Sequence, residues 1–261
     1  MPRLSPAPTS SGFRRLSAAT IAGSLGLAAC AGGQDPSLPP TSGPELLDAA
    51  IAYHDPADRW QGFRHTLMID QSRPDGSERR ATIHLDASSS NYTYEEATDD
   101  GHLVKGTDGE ECFATVGGAP PTPEQAESLR LDCPGIRRMR DYYLYLWGLP
   151  MKLRDPGTNI DAAIQDAEFD GRTARALRVT YDPAVGSDTW YFYFEPDTYR
   201  MIGYRFYHDE AAGDGEYILL DGERDVLGMK IPAERRWFTN ADDRYLGTDI
   251  LVDDFAEPPG D

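Results

Sequence analysis

Two histidine–carboxylate pairs are the side chains of this sequence that could carry acid–base or metal chemistry. His54-Asp55 and His208-Asp209 each follow a tyrosine, and Glu210 follows the second pair. An imidazole beside a carboxylate can bind zinc or transfer a proton near neutral pH. The spacing matches no known metal signature, and among 44 acidic residues such neighbours arise by chance. The pairs support an alternative hypothesis, a metal-dependent or acid–base hydrolase, which requires them to converge.

Other catalytic signatures are missing from the sequence. It contains no Gly-x-Ser-x-Gly motif for a serine nucleophile, no phosphate-binding loop and no dinucleotide-binding fingerprint. We therefore predict no catalytic residue, no metal and no cofactor, and we expect a protein that is not an enzyme.

Cys30 ends an N-terminal segment that is typical of export. Arg3, Arg14 and Arg15 precede an apolar run over residues 16–27, and two alanines separate that run from the cysteine. The run is shorter than the roughly twenty residues that a membrane-spanning helix needs. The junction resembles the signals of bacterial lipoproteins, in which the cysteine after the small residues becomes the lipidated first residue of the mature chain.

This junction predicts three parts of the chain. Residues 1–29 form a lipoprotein signal peptide, residues 30–43 form the lipidated cysteine with a flexible Pro-rich tether, and residues 44–261 form a single globular domain. Ala31 follows the cysteine, in place of the aspartate associated with inner-membrane retention in enteric bacteria. We therefore predict a lipid anchor in the outer membrane, with the domain facing the periplasm.

Cys112 and Cys133 are predicted to form a disulfide. An exported chain meets an oxidising compartment, in which such a pair usually bridges. The two residues are 21 positions apart, and closing that loop contributes roughly 3 kcal/mol in the chain-entropy account. A thiol metal site is the alternative, which the lack of nearby histidines disfavours.

The charge balance excludes two classes of partner. The chain has 25 basic and 44 acidic residues, for a net charge of −19. Nucleic acid and anionic lipid surfaces both require clustered Lys and Arg. The expected attachment to the membrane is therefore the acyl chain on Cys30, whose buried methylenes each contribute roughly 0.8 kcal/mol.

The elements that position these residues are predicted from periodicity and caps. Helices are predicted over residues 44–53, 122–132 and from 135 to 148, the second from its Thr-Pro-Glu-Gln capping box. Elsewhere apolar and polar residues alternate with period two, which predicts β-strands. After the central helices, the first predicted strand covers residues 174–182. The pattern predicts an α+β fold: one curved antiparallel sheet of about eleven strands, a half-barrel, with about three helices on its concave side.

Aromatic residues concentrate in one predicted strand and one predicted helix. In the strand Trp190-Tyr191-Phe192-Tyr193-Phe194 both faces are aromatic, so neither face is expected to be fully solvated. A helix lying in the concavity would bring the two groups together, either as a filled core or as a cavity for an apolar ligand. The residues predicted to line that cavity are Tyr142, Tyr145, Trp147, Trp190, Phe192 and Phe194.

Several long strings carry a family resemblance. Residues 50–56 (AIAYHDP), 145–153 (YLWGLPMKL), 188–194 (DTWYFYF) and 206–210 (FYHDE) resemble a bacterial family of predicted lipoproteins, classed as a domain of unknown function and common in the Bacteroidetes lineage. The resemblance implies no established activity and no catalytic residues. The opening helix and the final meander through residues 228–232 (GMKIP) are similar to the lipoprotein-localisation-factor (LolA/LolB-like) fold, in which a half-barrel closes over helices and holds acyl chains.

Together these features predict a membrane-anchored, periplasm-facing lipoprotein that binds an apolar or lipid-like ligand without catalysis. The expected partners are a lipid or other apolar small molecule and the membrane itself, and not nucleic acid. Besides the hydrolase, a second alternative is a structural or interaction lipoprotein whose aromatic residues only fill a core.

Overall fold

The computed structural model describes residues 38–89 and 91–256, so Cys30 and the predicted signal peptide lie outside the described residues. Within these ranges the chain forms twelve strands, three α-helices and three short 3-10 helices. No helix of the described part is long and apolar enough to cross a membrane.

All twelve strands form one open antiparallel sheet. Its order is β5-β4-β3-β2-β1-β12-β11-β10-β9-β8-β7-β6, so β5 and β6 are the two edges. The strands are β1 Arg64–Ser72, β2 Glu78–Asp86, β3 Tyr92–Thr98, β4 Gly101–Asp108, β5 Glu111–Val116, β6 Thr158–Phe169, β7 Arg172–Tyr181, β8 Thr189–Phe194, β9 Met201–Tyr207, β10 Glu216–Val226, β11 Met229–Thr239 and β12 Tyr245–Phe255.

The sheet consists of two meanders that meet in the middle. Strands β1–β5 form one and β6–β12 the other, and the first and last strands pair with each other, as at Ile69 and Leu251. The chain must therefore cross from the edge at β5 to the edge at β6. It does so through helices α2 (Pro123–Ser128) and α3 (Cys133–Gly148). At 1.5 Å per residue, α3 is about 24 Å long, enough to pass over several strands.

Local sequence determines where the helices begin. Helix α1 (Gly43–His54) starts with a complete capping box formed by Ser42 and Glu45, and α2 starts with one formed by Thr122 and Gln125. Helix α3 ends at Gly148, where a Cβ would lie 2.3 Å from the indole of Trp60. Only glycine allows the helix end to pack this closely against that ring.

One core lies between the helices and one face of the sheet. Leu46 and Ala50 of α1 are completely buried and belong to the same cluster as Leu177 of β7. In α3, the Tyr143 ring stacks near Tyr92 and Tyr94 of β3. Both long helices therefore cover the same face of the sheet.

The opposite face carries a smaller aromatic cluster. The Phe169 and Tyr193 rings stack with centroids 4.0 Å apart, and Tyr217 and Phe238 stack at 5.1 Å. This cluster explains why both faces of β8 are aromatic: its alternate residues pack into two different clusters.

The predicted α+β fold with a single antiparallel sheet is confirmed, and the element counts differ slightly. The sheet has twelve strands instead of about eleven, and the sequence pattern does not predict β6. The sequence of β6 is rich in Ala and Asp, its residues are mostly half-buried or exposed, and its pairing with β7 is irregular between Ile160 and Ile164. An edge strand of this kind shows little of the alternation by which strands are recognised.

The C-terminal meander differs in one boundary. The sequence predicts two strands, separated at Gly222. In the structure β10 is continuous through this residue. Gly222 has a positive φ of 59° and interrupts the pairing of β10 with β11. The hairpin turn lies instead at Leu227-Gly228, where both residues have positive φ. This is the geometry of a tight type I′ turn.

Candidate functional site

His54 and Asp55 bind backbone groups. The His54 ring is buried, with Nδ1 2.7 Å from the Lys230 carbonyl oxygen and Nε2 accepting the Met201 N–H at 2.9 Å. Asp55 accepts the N–H groups of Arg59 and Trp60. Burial lowers the pKa of His54, which favours the neutral ring. Neither ring nitrogen is left for a metal.

The second histidine pair lies in a different environment. His208 is mostly exposed, and its Nδ1 lies 2.9 Å from Asp188, a contact that raises the pKa of the histidine. Asp209 accepts the Ala211 N–H. The contacts of the two pairs share no residue, and no three His, Cys, Asp or Glu side chains among the described residues could hold a metal together. The convergence that the hydrolase hypothesis needs is not found there.

The predicted disulfide is present. Cys112 of β5 and Cys133 at the start of α3 are bonded, with their Cα atoms 5.5 Å apart. The bond fastens the beginning of α3 to an edge of the sheet.

The six aromatic residues predicted to line a cavity divide into two groups. Trp147, Phe192 and Phe194 are fully buried in the core. The Tyr145 ring lies 5.5 Å from Trp190, so the helix and strand clusters do meet. Tyr142 and Tyr145 line two different cavities, one on each side of α3, and the other four residues line neither of them.

The cavity beside Tyr142 has a volume of about 330 Å³. It lies between α3, from Gly135 to Tyr143, and the sheet at Gln71 of β1, Arg79 of β2 and Lys105 of β4. Leu129, Met139, Tyr142 and Tyr143 give it an apolar and aromatic wall. The Tyr142 side chain remains 41% exposed, so this wall reaches the surface.

Basic side chains surround the same cavity, which we call the basic cavity. Five of its lining residues are basic and none is acidic. This is the reverse of the whole chain, whose net charge is −19. The basic residues are Arg73, Arg79, Lys105, Arg130 and Arg138.

Helix and sheet periodicity place these side chains together. Gly135, Arg138, Met139 and Tyr142 occupy positions i, i+3, i+4 and i+7 and so form one stripe of α3. In the sheet, Gln71 and Arg79 are direct cross-strand partners of β1 and β2. Lys105 pairs with Tyr94 in the same way across β4 and β3.

A short hydrogen-bonded chain holds Arg79 in position. Its Nε donates to Gln71 Oε1 at 2.7 Å, and Gln71 Nε2 donates to the buried carboxylate of Asp249 at 2.9 Å. Glu96 lies 3.7 Å from the guanidinium. The Arg79 head group is therefore oriented before any ligand arrives.

The sequence analysis predicts none of the five basic residues of this cavity, and Lys105 is the one with the clearest sequence signal. Only 8% of the residue is exposed, and its ammonium lies 5.2 Å from the centre of the Tyr94 ring. Within the described part of the chain it has no hydrogen bond or ion pair, and burial lowers the pKa of its amine. A signal was present: this lysine falls in the inward phase of β4, between Leu103 and Thr107.

The cavity on the other side of α3 has a different character. It measures about 290 Å³ and is lined by Leu144, Tyr145 and Tyr181 together with Lys152 and Asp155. Those last two side chains form an ion pair with each other. The second cavity thus lacks the excess of positive charge that marks the basic cavity.

Comparison with known proteins gives one family match and several similar folds. A family of unknown function, DUF6503, matches residues 40–254. A LolA superfamily protein from Nitrosomonas europaea is 11% identical, with a TM-score of 0.49, over 85% of this chain and 96% of that one. A domain described as an outer membrane lipoprotein-sorting protein, from Vibrio parahaemolyticus, is 9% identical with a TM-score of 0.48, over 84% and 94% of the two chains. A DUF1329 family protein from Desulfovibrio piger is 11% identical with a TM-score of 0.48, over 85% and 96%. No curated protein matches the chain.

Proposed function

This chain belongs to DUF6503, a family of unknown function, and we propose that it is a non-enzymatic binding protein of the bacterial cell envelope that holds an apolar or lipid-like ligand in the basic cavity. The resemblance to a family of unknown function, predicted from the sequence, is confirmed. A Bacteroidetes origin stays a prediction. Since the family has no known activity, the argument for function comes from the geometry of this chain.

The observation that carries the proposal is the basic cavity itself. Small-molecule sites are concave, have volumes of roughly 300–1,000 Å³ and combine apolar walls with a few polar groups. A cavity of about 330 Å³ with Met139, Tyr142 and Tyr143 in its wall fits that description. It lies at the rim of the core, so a ligand can enter without displacing Trp147 or Phe192. Of the six aromatic residues predicted from the sequence, Tyr142 lines this site.

The proposal includes a lipid anchor on Cys30. It is supported by the Ala28-Ala29-Cys30 junction and by the start of the family match at residue 40. In this arrangement residues 1–29 are removed, residues 30–43 are the tether, and the domain is held at the outer membrane. Among the described residues the first helix begins at Gly43, which supports this division.

Binding of a neutral amphiphile tests the proposal. The full chain carrying Cys30→Ser, purified without detergent, would be titrated with the uncharged dye phenylnaphthylamine and then with dodecanol. We expect dye fluorescence to rise on binding and dodecanol to reverse the rise. Absence of both effects would contradict the proposal and favour the interaction lipoprotein with a filled core.

Three variants locate the binding site. Tyr142→Ala is expected to weaken dye binding about ten-fold, or about 1.4 kcal/mol, with little loss of stability because the side chain is partly exposed. Trp190→Ala should lower the free energy of unfolding by about 3 kcal/mol or more, and because Trp190 lines neither cavity, dye affinity should change far less than in Tyr142→Ala. Tyr191→Ala, on the opposite face of the sheet, is the matched control, and an equal loss of binding in it would place the dye elsewhere.

A further inference from the structure

We propose that the ligand of the basic cavity is an anionic amphiphile, whose carboxylate or phosphate head group is bound by Lys105, Arg79 and Arg138 while its chain lies against Met139 and Tyr142. The inference rests on the proposed function and adds to it the chemical class of the ligand.

The distribution of charge is the first argument. Acidic residues outnumber basic ones in this chain by 44 to 25, yet the lining of this cavity contains five basic residues and no acid. Arg73, Arg130 and Arg138 have no ion-pair partner among the described residues. Positive charge gathered in a concave site raises the local concentration of anions.

Lys105 is the second and independent argument. Its side chain is nearly fully buried, lines the cavity and has no carboxylate or hydrogen-bond acceptor within the described residues. The groups that face it are Tyr94, Arg79 and Glu96, and Glu96 already accepts from the Tyr94 hydroxyl. A desolvated ammonium is unfavourable unless an anion compensates it. A bound head group would supply that anion.

Arg79 provides geometry as well as charge. Because Gln71 accepts a hydrogen bond from its Nε, the guanidinium of this cavity-lining residue is held in a defined orientation. A guanidinium can form two parallel hydrogen bonds to a carboxylate or phosphate. The aromatic and thioether wall opposite accepts the hydrocarbon part of the ligand, so the site recognises both ends of an amphiphile.

Head-group chemistry can be tested at constant chain length. The dye-loaded full-length Cys30→Ser chain would be titrated with dodecanoate, dodecyl phosphate, dodecanol and dodecylammonium, all below their micelle concentrations. We expect either anion to displace the dye at a concentration at least ten-fold lower than dodecanol, and dodecylammonium to be the weakest competitor. A comparison of the two anions distinguishes a carboxylate ligand from a phosphate ligand.

The possible failures are separable. If dodecanol competes as well as the anions, the anionic class is wrong although the binding function stands. If no compound competes, both proposals are wrong. Inorganic phosphate is tested alone, and displacement of the dye by this ion at similar concentrations would show a site for free anions and overturn the amphiphile.

Two variants assign the head-group residues. Lys105→Met should remove most of the advantage that either anion has over dodecanol, roughly ten-fold. Lys230→Met is its matched control, because Lys230 also lies over a tyrosine ring, that of Tyr53 at 3.8 Å, but outside the cavity. Arg138→Gln, at an exposed helix position, provides a variant with little risk to folding. An unchanged preference for anions in both cavity variants would overturn the assignment.

Discussion

At the scale of single residues, His54 is a structural residue. Its two ring nitrogens bridge the backbone of β9, through Met201, and of β11, through Lys230. Since Nε2 accepts a hydrogen bond, the ring is neutral and Nδ1 carries the proton. Protonation of Nε2 would turn it into a donor that faces the Met201 N–H, and two donors cannot form a hydrogen bond. Acidic pH therefore breaks this bridge.

The two histidines are expected to affect stability with opposite signs. Burial lowers the pKa of His54. As the pH falls below about 6.5, this histidine is therefore protonated in the unfolded chain before it is protonated in the folded chain. The free energy of unfolding should therefore fall in that window. The pKa of His208 is raised by Asp188, so its contribution is fully present below about 6.5 and is lost as the pH rises through its folded value.

Urea unfolding at several pH values between about 5.5 and 8 separates the two contributions. His54→Gln should flatten the acid-side loss, and His208→Gln should flatten the alkaline-side loss. Titrating groups that do not interact with either histidine are common to all three proteins and cancel in the comparison. Parallel curves for the wild type and His54→Gln would show that this histidine does not control the acid response.

At the scale of elements, the position of α3 determines the site. Its stripe of Arg138, Met139 and Tyr142 forms one wall, and the helix is held at three points. Cys133 is bonded to β5, Gly148 packs on Trp60, and the buried Arg235 guanidinium lies 3.8 Å from the Trp147 ring. The helix is therefore attached at both ends, and its cavity-lining stripe lies between these attachments.

Removal of the disulfide should weaken this attachment. For a 21-residue separation, Cys112→Ala together with Cys133→Ala is expected to lower the free energy of unfolding by roughly 3 kcal/mol. Urea unfolding measures the change, and the reduced wild-type protein should match the double variant. Identical stability of the oxidised and reduced wild type would mean that the bond contributes nothing to the fold.

At the scale of the whole molecule, salt should have opposite effects on stability and on anion binding. Stability is reduced by the excess negative charge of the chain, whereas anion binding depends on the positive charge of the basic cavity. A net charge of −19 produces self-repulsion in the compact state. Screening lengths fall from roughly 30 Å at 0.01 M to roughly 8 Å at 0.15 M salt. Over this range we expect the melting temperature to rise and the affinity for dodecanoate to fall.

Calorimetry at the two salt concentrations tests the expected rise in melting temperature. Dye displacement at the same concentrations tests the expected fall in dodecanoate affinity. Dodecanol provides the control, because its affinity does not depend on screened charges. An anion affinity that does not change with salt would argue that the basic cavity is not where the head group binds.

The parts of this protein that the sequence alone determines are local ones. Capping boxes such as Ser42 with Glu45 involve residues three positions apart, and alternation marks strands with one face in the core. Helix starts, most strands and the fold class could therefore be predicted. Strand β6 could not, because an exposed edge strand needs only one partner and shows no clear pattern.

Only the tertiary structure decided where ligands can bind. Arg79, Lys105 and Arg138 come from β2, β4 and α3, and no sequence spacing links them. They meet because the crossover from β5 to β6 lays α3 over the sheet, a consequence of long-range pairing between β1 and β12. The same packing filled the space around Trp147 and Phe192 and left the opening at Tyr142. Cavities are what remains after all side chains have packed, so they depend on the whole set of contacts at once.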